Sequence, residues 1–184
     1  MHKIFQRLGT ANVHKKYRLE KYSILFVINN FHCKVLRKFR RYLMVKKLGI
    51  CKDNTTDIRC RVYFDSPYKV KIGSNSMINS DVKFYTGEFN DSVILIGDNV
   101  KIGLNSTLIT VTHEVGPENQ RGGACCAKAI TIGDGCWIGA NVTVLPGVHI
   151  AKGCIIGACS VVTKDTEANG LYVGNLARKI KNLK

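Results

Sequence analysis

Aliphatic and aromatic residues recur along this chain every six positions. Ile72, Ile78 and Phe84 are followed by Ile96, Ile102 and Leu108, and after a gap by Ile132, Ile138, Val144, Ile150, Ile156 and Val162. Gly often comes directly after, as in Gly73, Gly97, Gly103, Gly133, Gly139 and Gly157. Four places after the aliphatic stands a small or branched residue: Ser76, Val100, Ser106, Cys136, Val142, Val148, Cys154 or Ser160. A period of six fits neither the 3.6 of a helix nor the plain alternation of a strand. It fits a short β-segment, a corner and a restart, three of which make a triangular coil of ~18 residues. Stacked coils bury an aliphatic column, and Gly suits corners that need unusual dihedrals or close backbone approach. A sandwich of short strands would not keep one register from Ile132 to Val162. The pattern predicts an all-β solenoid, a parallel β-helix.

The frame breaks where Glu114, Gln120 and Cys126 occupy what should be core positions, so residues 114–129 are expected as a loop thrown out of the solenoid. Long excursions from a rigid scaffold often carry function. Before the repeats, residues 30–48 read as a helix with Val35, Leu36, Phe39, Tyr42 and Leu43 on one face and Lys34, Arg37, Lys38, Arg40 and Arg41 around the other. Gly49 is its expected stop. Such a helix would cap the coil end, and it is also fit to lie on an anionic membrane. The chain thus divides into a basic, largely helical segment over 1–61, a β-helix over 62–168 with its loop at 114–129, and a tail over 169–184 for which the pattern predicts no firm element.

Charge sharpens that division. The net charge is +15, and residues 1–61 hold 16 of the 28 Lys/Arg but only Glu20, Asp53 and Asp57 of the 13 acidic residues. By charge alone, a basic head on a near-neutral body points to an anionic neighbour (nucleic acid, a phospholipid surface or a phosphate-bearing substrate) or serves as a solvated face. No nucleic acid is expected. Eight cysteines without a Cys-x-x-Cys pair, in a chain with no signal-peptide pattern near its start, point to reduced thiols and not to a disulfide framework or metal site. The expected setting is cytoplasmic, with the inner face of the membrane as a further possibility. Cys136 and Cys154, 18 apart, should stack on successive coils as small buried residues.

The motifs ITVTHEVG at 109–116, ITIGDGCWIGANVTVLPGV at 130–148, IIGACSVVTKD at 155–165 and VGNLARKI at 173–180 span more than a third of the chain. In content and order they resemble the hexapeptide-repeat O-acetyltransferases, the group that includes galactoside, maltose and capsular polysaccharide acetyltransferases. The resemblance implies a left-handed coil and a homotrimer with active sites between subunits. It implies direct transfer of an acetyl group from acetyl-CoA to a hydroxyl of a sugar or glycan, in a ternary complex and without a metal. One departure is visible: Asn175-Leu176-Ala177 stands where these proteins usually carry Pro before the Ala, which loosens the expected path of the tail.

Transfer from a thioester to a hydroxyl needs a base for the hydroxyl proton, a donor for the developing oxyanion, and alignment. Of five histidines, His2, His14 and His32 precede the repeats and His149 sits on a coil outside the column, whereas His113 stands where the last regular hexad turns into the loop. His113 is the expected general base. Glu114 is a solvated carboxylate or a partner for His113. By resemblance Asp91 would bind an acceptor hydroxyl, with a turn aspartate as the other reading, and Lys83 replaces the Asn expected beside it. Glu88 and Arg121 are further loop candidates without an assigned role. The resemblance assigns the cofactor to Ala140, Ala158, Thr163 and Lys164, with Arg178 and Lys181 from the tail. Small residues would let the pantetheine arm run close to the backbone, and cations would meet the phosphates. The Ala140 amide is the natural oxyanion donor. Trp137, on an outward position, would wall the pantetheine groove or pack against a neighbouring subunit. Rival readings are a serine or xenobiotic acetyltransferase of the same fold, a non-enzymatic β-helix scaffold, and a zinc carbonic anhydrase, which needs three His where the repeats hold His113 and His149 alone.

Overall fold

The computed structural model describes residues 41–184, which form three parallel sheets wound as a triangular coil. The first face stacks Val70–Ile72, Ile94–Ile96, Ile130–Ile132 and His149–Ile150. The second stacks Asp57–Ile58, Met77–Ile78, Lys101–Ile102, Trp137–Ile138, Ile155–Ile156 and Gly170–Val173. The third stacks Tyr63–Phe64, Lys83–Tyr85, Thr107–Ile109, Thr143–Val144 and Val161–Val162. Every pairing between these strands is parallel and in register, so like sits on like: Ile72, Ile96, Ile132 and Ile150 form one column, and Ile58, Ile78, Ile102, Ile138 and Ile156 another. On the third face the Phe64 and Phe84 rings stack at 5.1 Å, with Leu108, Val144 and Val162 beyond them.

All twelve aliphatic or aromatic positions of the hexad frame lie in this core, each at most 5% exposed. Burying such a side chain is worth roughly 1.5–3 kcal/mol over leaving it in water. The columns therefore hold the fold, because strands of two or three residues carry too few hydrogen bonds to do so alone. The glycines that follow the aliphatics serve close approach: a Cβ on Gly139 would lie 2.6 Å from the Ala158 amide of the next coil. Several left-handed corners fall instead on Asn75, Asn99, Asn105 and Asn141, with φ between 52° and 59°. Asn tolerates that region, and its side chain has a second use here, since Asn75 Nδ2 donates to Asn99 Oδ1 at 2.7 Å and Asn105 Nδ2 to Asn141 Oδ1 at 2.8 Å.

Two boundaries need correction. Parallel pairing begins before residue 62: Cys51 bridges Ile72, and Asp57–Ile58 pairs with Met77–Ile78. The turn Pro67–Lys69 lengthens the spacing from Phe64 to Ile72 and so hides the first coil from a six-residue frame. The excursion expected over 114–129 is a two-stranded antiparallel hairpin, Val111–Val115 against Gly122–Ala127, which begins three residues earlier. The tail also has structure: Gly170–Val173 extends the second face, and Arg178–Asn182 folds back antiparallel upon it.

Of the helix expected at 30–48, residues before 41 lie outside the described residues, as does all of the basic face proposed for a membrane except Arg41, whose Nη1 donates to Asn54 O at 3.0 Å. What is described ends in a π-turn, Leu43–Lys47, closed by Leu48 N–H donating to Leu43 O at 2.9 Å, and Gly49 follows at φ 58°. The wider π-turn rotates the buried face. Met44 is fully buried in the cluster with Ile50 and Ile58, while Tyr42, expected inward, is half exposed.

Candidate active site

The chain leaves the third face and enters the first at one corner of the triangle, and that corner collects the excursions. Residues 87–92 depart there, the hairpin departs on the next rung, and Thr163 and Lys164 turn the same corner two rungs further on. His113 lies exposed on the outgoing hairpin strand, in register with Cys125. Its Nδ1 is 3.0 Å from Gly123 O. A carbonyl only accepts, so Nδ1 is the donor of this bond, and in the neutral ring the lone pair is then on Nε2. Glu114, next along an extended strand, projects to the other side. Arg121 turns inward to its own hairpin, Nη1 reaching Gly116 O at 3.4 Å. Asp91 is exposed on the 87–92 loop, as is Glu88. Lys83, on the outer side of the third face, donates to Asn105 Oδ1 at 3.0 Å.

The remaining expected residues gather elsewhere. Ala140 and Ala158 occupy consecutive rungs of the corner between the second and third faces, where Cys159 N–H donates to Ala140 O at 2.9 Å. The ladder there runs through the amides of Asn141 and Cys159, and the Ala140 N–H has no part in it. Arg178 pairs with Val173, whose side chain lies against Gly157 at the same corner. Trp137 stands on the outer side of the second face, 57% exposed, in a column that runs Lys101, Trp137, Ile155, Leu171, Lys181. Trp137, Ile155 and Leu171 thus lie between Lys101 and Lys181, and Met77 and Asp57 continue the column beyond Lys101. A groove of about 930 Å³ follows this column, lined among others by Lys101, Trp137, Ile155, Asn169, Leu183 and Lys184.

The structure therefore brings Asp91, His113, Thr163 and Lys164 to one corner, and Trp137, Ala140, Ala158, Arg178 and Lys181 to the second face and its far corner. Within one chain the third face separates the two groups. Sequence reasoning missed Lys101, Leu183 and Lys184 in the groove wall; Lys101 holds the same place before Ile102 that Trp137 holds before Ile138, and that offset was the available signal. His149 is bound into the first face, with Nδ1 2.5 Å from Thr131 Oγ1 and its amide donating to Asp165 Oδ1 at 2.7 Å. Cys136 and Cys154 are buried free thiols that donate to Ala151 O and Glu167 O, each at 3.1 Å. Burial pushes the Cys136 thiol up to about 11.

The unbroken columns and in-register parallel rungs are those of a hexapeptide-repeat solenoid. The family model "Bacterial transferase hexapeptide (six repeats)" matches residues 129–164. The galactoside O-acetyltransferase of Escherichia coli K12 is 31% identical over 166 residues, covering 90% of this chain and 79% of its own length. The solved maltose O-acetyltransferase from Clostridium difficile 630 is similar with a TM-score of 0.77 and 29% identity, over 92% of this chain and 87% of that one. A hexapeptide-repeat acetyltransferase from Vibrio cholerae, solved with acetyl coenzyme A, gives 0.74 and 26% identity, over 90% and 86%. The chain belongs to the hexapeptide-repeat acetyltransferases, and its coil, like theirs, is left-handed.

Proposed function

We propose that this protein transfers an acetyl group from acetyl-CoA to a hydroxyl of a sugar or glycan, directly and in a ternary complex, with His113 as general base. The observation that carries the reading is the His113 ring, whose Nδ1–H donates to Gly123 O and whose Nε2 is left to accept a proton on an exposed hairpin. The acceptor oxygen attacks the thioester carbon as Nε2 takes its proton. The carbon–sulfur bond then breaks, and the CoA thiolate recovers the proton from the imidazolium. The Ala140 N–H, which takes no part in the ladder, would receive the developing oxyanion. The groove beside Trp137 suits the pantetheine arm, while Lys181 and Arg178 from the tail, with Thr163 and Lys164, would meet the phosphates. Asp91 would bind the acceptor.

Because the third face separates the two groups of residues, a complete site takes two copies, the hairpin corner of one facing the Ala140–Ala158 corner of the next. A repeated head-to-tail contact of this kind closes as a ring, and a homotrimer is the proposed assembly. Seven free cysteines among the described residues fit a reducing, cytoplasmic setting. The test is release of free CoA thiol from acetyl-CoA across a panel of sugars, alongside serine and xenobiotic acceptors, with light scattering on the same sample. Turnover with a sugar by a trimer is expected. Turnover with serine alone, or a monomer with full activity, would overturn the reading.

A further inference from the structure

Lys69 is 8% exposed, and a buried ammonium is costly unless its hydrogens are met. It ends the short turn Pro67–Lys69, one rung before the 87–92 loop at the same corner. An ammonium offers three N–H donors. Lys69 Nζ donates to Gly87 O at 3.0 Å, to Ser92 Oγ at 2.7 Å and to Phe89 O. Three acceptors spread over six residues of one loop are thus gathered on a single atom. Two neighbours add to the hold: Asp65 Oδ2 accepts from the Gly87 amide at 2.7 Å, and Ser66 Oγ donates to Gly87 O at 3.3 Å.

The anchored loop is also fitted to the hairpin. Thr110 Oγ1 donates to Thr86 O at 3.1 Å, and Thr110 N–H to Tyr85 O at 2.9 Å. Gly87 has φ 62°, and a Cβ there would lie 2.6 Å from Val111 Cγ1. Val111 begins the strand that carries His113 two residues later. Above this buried footing, Glu88, Phe89, Asn90 and Asp91 are all exposed. The loop has a fixed base, a polar rim, and a set distance to the strand of the proposed base.

We propose that Lys69 is a positioning residue: by gathering Gly87 O, Phe89 O and Ser92 Oγ it holds the 87–92 loop against the root of the His113 hairpin, and so fixes where an acceptor bound by Asp91 presents its hydroxyl. This rests on the proposed acceptor role of Asp91. It distinguishes the two substrates, because within one chain no residue of the loop lines the groove on the second face.

The test is steady-state kinetics of Lys69→Met, Asp91→Asn and the double variant, with both substrates varied. Lys69→Met should raise the acceptor KM by about tenfold and leave the acetyl-CoA KM within about twofold. The double variant should be no worse than Lys69→Met alone, since a displaced Asp91 has little left to lose. If the two effects multiply independently, or if both substrates' KM rise alike, Lys69 does not act through the loop. Asp91→Asn with an unchanged acceptor KM would instead sink the acceptor role of Asp91, whatever Lys69→Met does. Should Lys69→Met fail to fold, Ser92→Ala removes one of the three acceptors and keeps the lysine. Its acceptor KM should rise by about two- to fivefold with the acetyl-CoA KM unmoved, and no change would count against the proposal.

Discussion

The His113 ring and the Gly123 carbonyl meet across the hairpin at 3.0 Å, one strand supplying the imidazole and the other the backbone oxygen that fixes its tautomer. The proton on Nδ1 is held away from the reaction, so the free Nε2 is the basic atom. His113→Ala should lower kcat by ~10²–10⁴, the usual worth of a positioned base. The KM for acetyl-CoA should change little. His149→Ala, which breaks a Thr131 contact on another face, should stay within a few fold. Equal losses in both variants would remove His113 from its role.

Thiol chemistry offers a check that needs no substrate. Cys125 and Cys159 are exposed, whereas Cys51, Cys60, Cys136 and Cys154 are buried. Burial pushes Cys51 up to about 12 and Cys136 up to about 11, so neither offers appreciable thiolate at neutral pH. Brief treatment of the native protein with N-ethylmaleimide should spare the buried thiols, while Cys125 and Cys159, on the two corners proposed to meet in the trimer, should react fastest once the copies are dissociated. The four buried thiols should react only after denaturation, as peptide mapping by mass spectrometry would show. Labelling of Cys136 as fast as Cys125 would contradict the coil packing.

Acid should loosen the first coils. Asp53 accepts from Ser74 Oγ at 2.6 Å, and from the Thr55 amide at 2.8 Å and hydroxyl at 2.5 Å. These bonds, Ser74 foremost, pull its carboxyl down to about 2. A group whose folded value lies below its unfolded one stabilises the fold above the unfolded value, about 4 for Asp, and that contribution is lost as pH falls toward 2. The Asp81 carboxyl, held low by the Arg61 guanidinium at 2.7–2.8 Å, works in the same direction. Thermal melts should show Asp53→Asn less stable than the unaltered protein at pH 6, with the gap closing between about pH 4 and 2. A gap that stays constant over that range would exclude the linkage.

The core was legible because one residue type at a fixed interval has one structural outcome. Ile132 to Val162 hold the frame without a break, and each of those aliphatics is buried. The first coil was not legible, since Phe64 and Ile72 are eight apart where the frame demands six. The hairpin was silent for another reason: Thr112, His113, Glu114 and Val115 are all exposed, so no buried face imposes an alternation on its outgoing strand. Of the site, the turn from regular hexads into ITVTHE singled out His113. The division of the expected residues between two corners lies in no motif but in the 18-residue coil, which sets Ala158 over Ala140, and the 87–92 loop and the hairpin break that count for Asp91 and His113. Lys69 reads as one more surface cation until its three acceptors, 18 to 23 residues away, are folded around it.

The reversed strand Arg178–Asn182 has a consequence for crowding. A stack of parallel rungs ends in a row of open backbone groups, and an open edge invites another molecule to continue the pattern. Here the outermost strand of the second face runs backward, so the parallel repeat is interrupted where a second copy would have to continue it. That strand carries Arg178 and Lys181, and two such edges brought together would repel. A further parallel rung at this edge of the second face is thereby disfavoured.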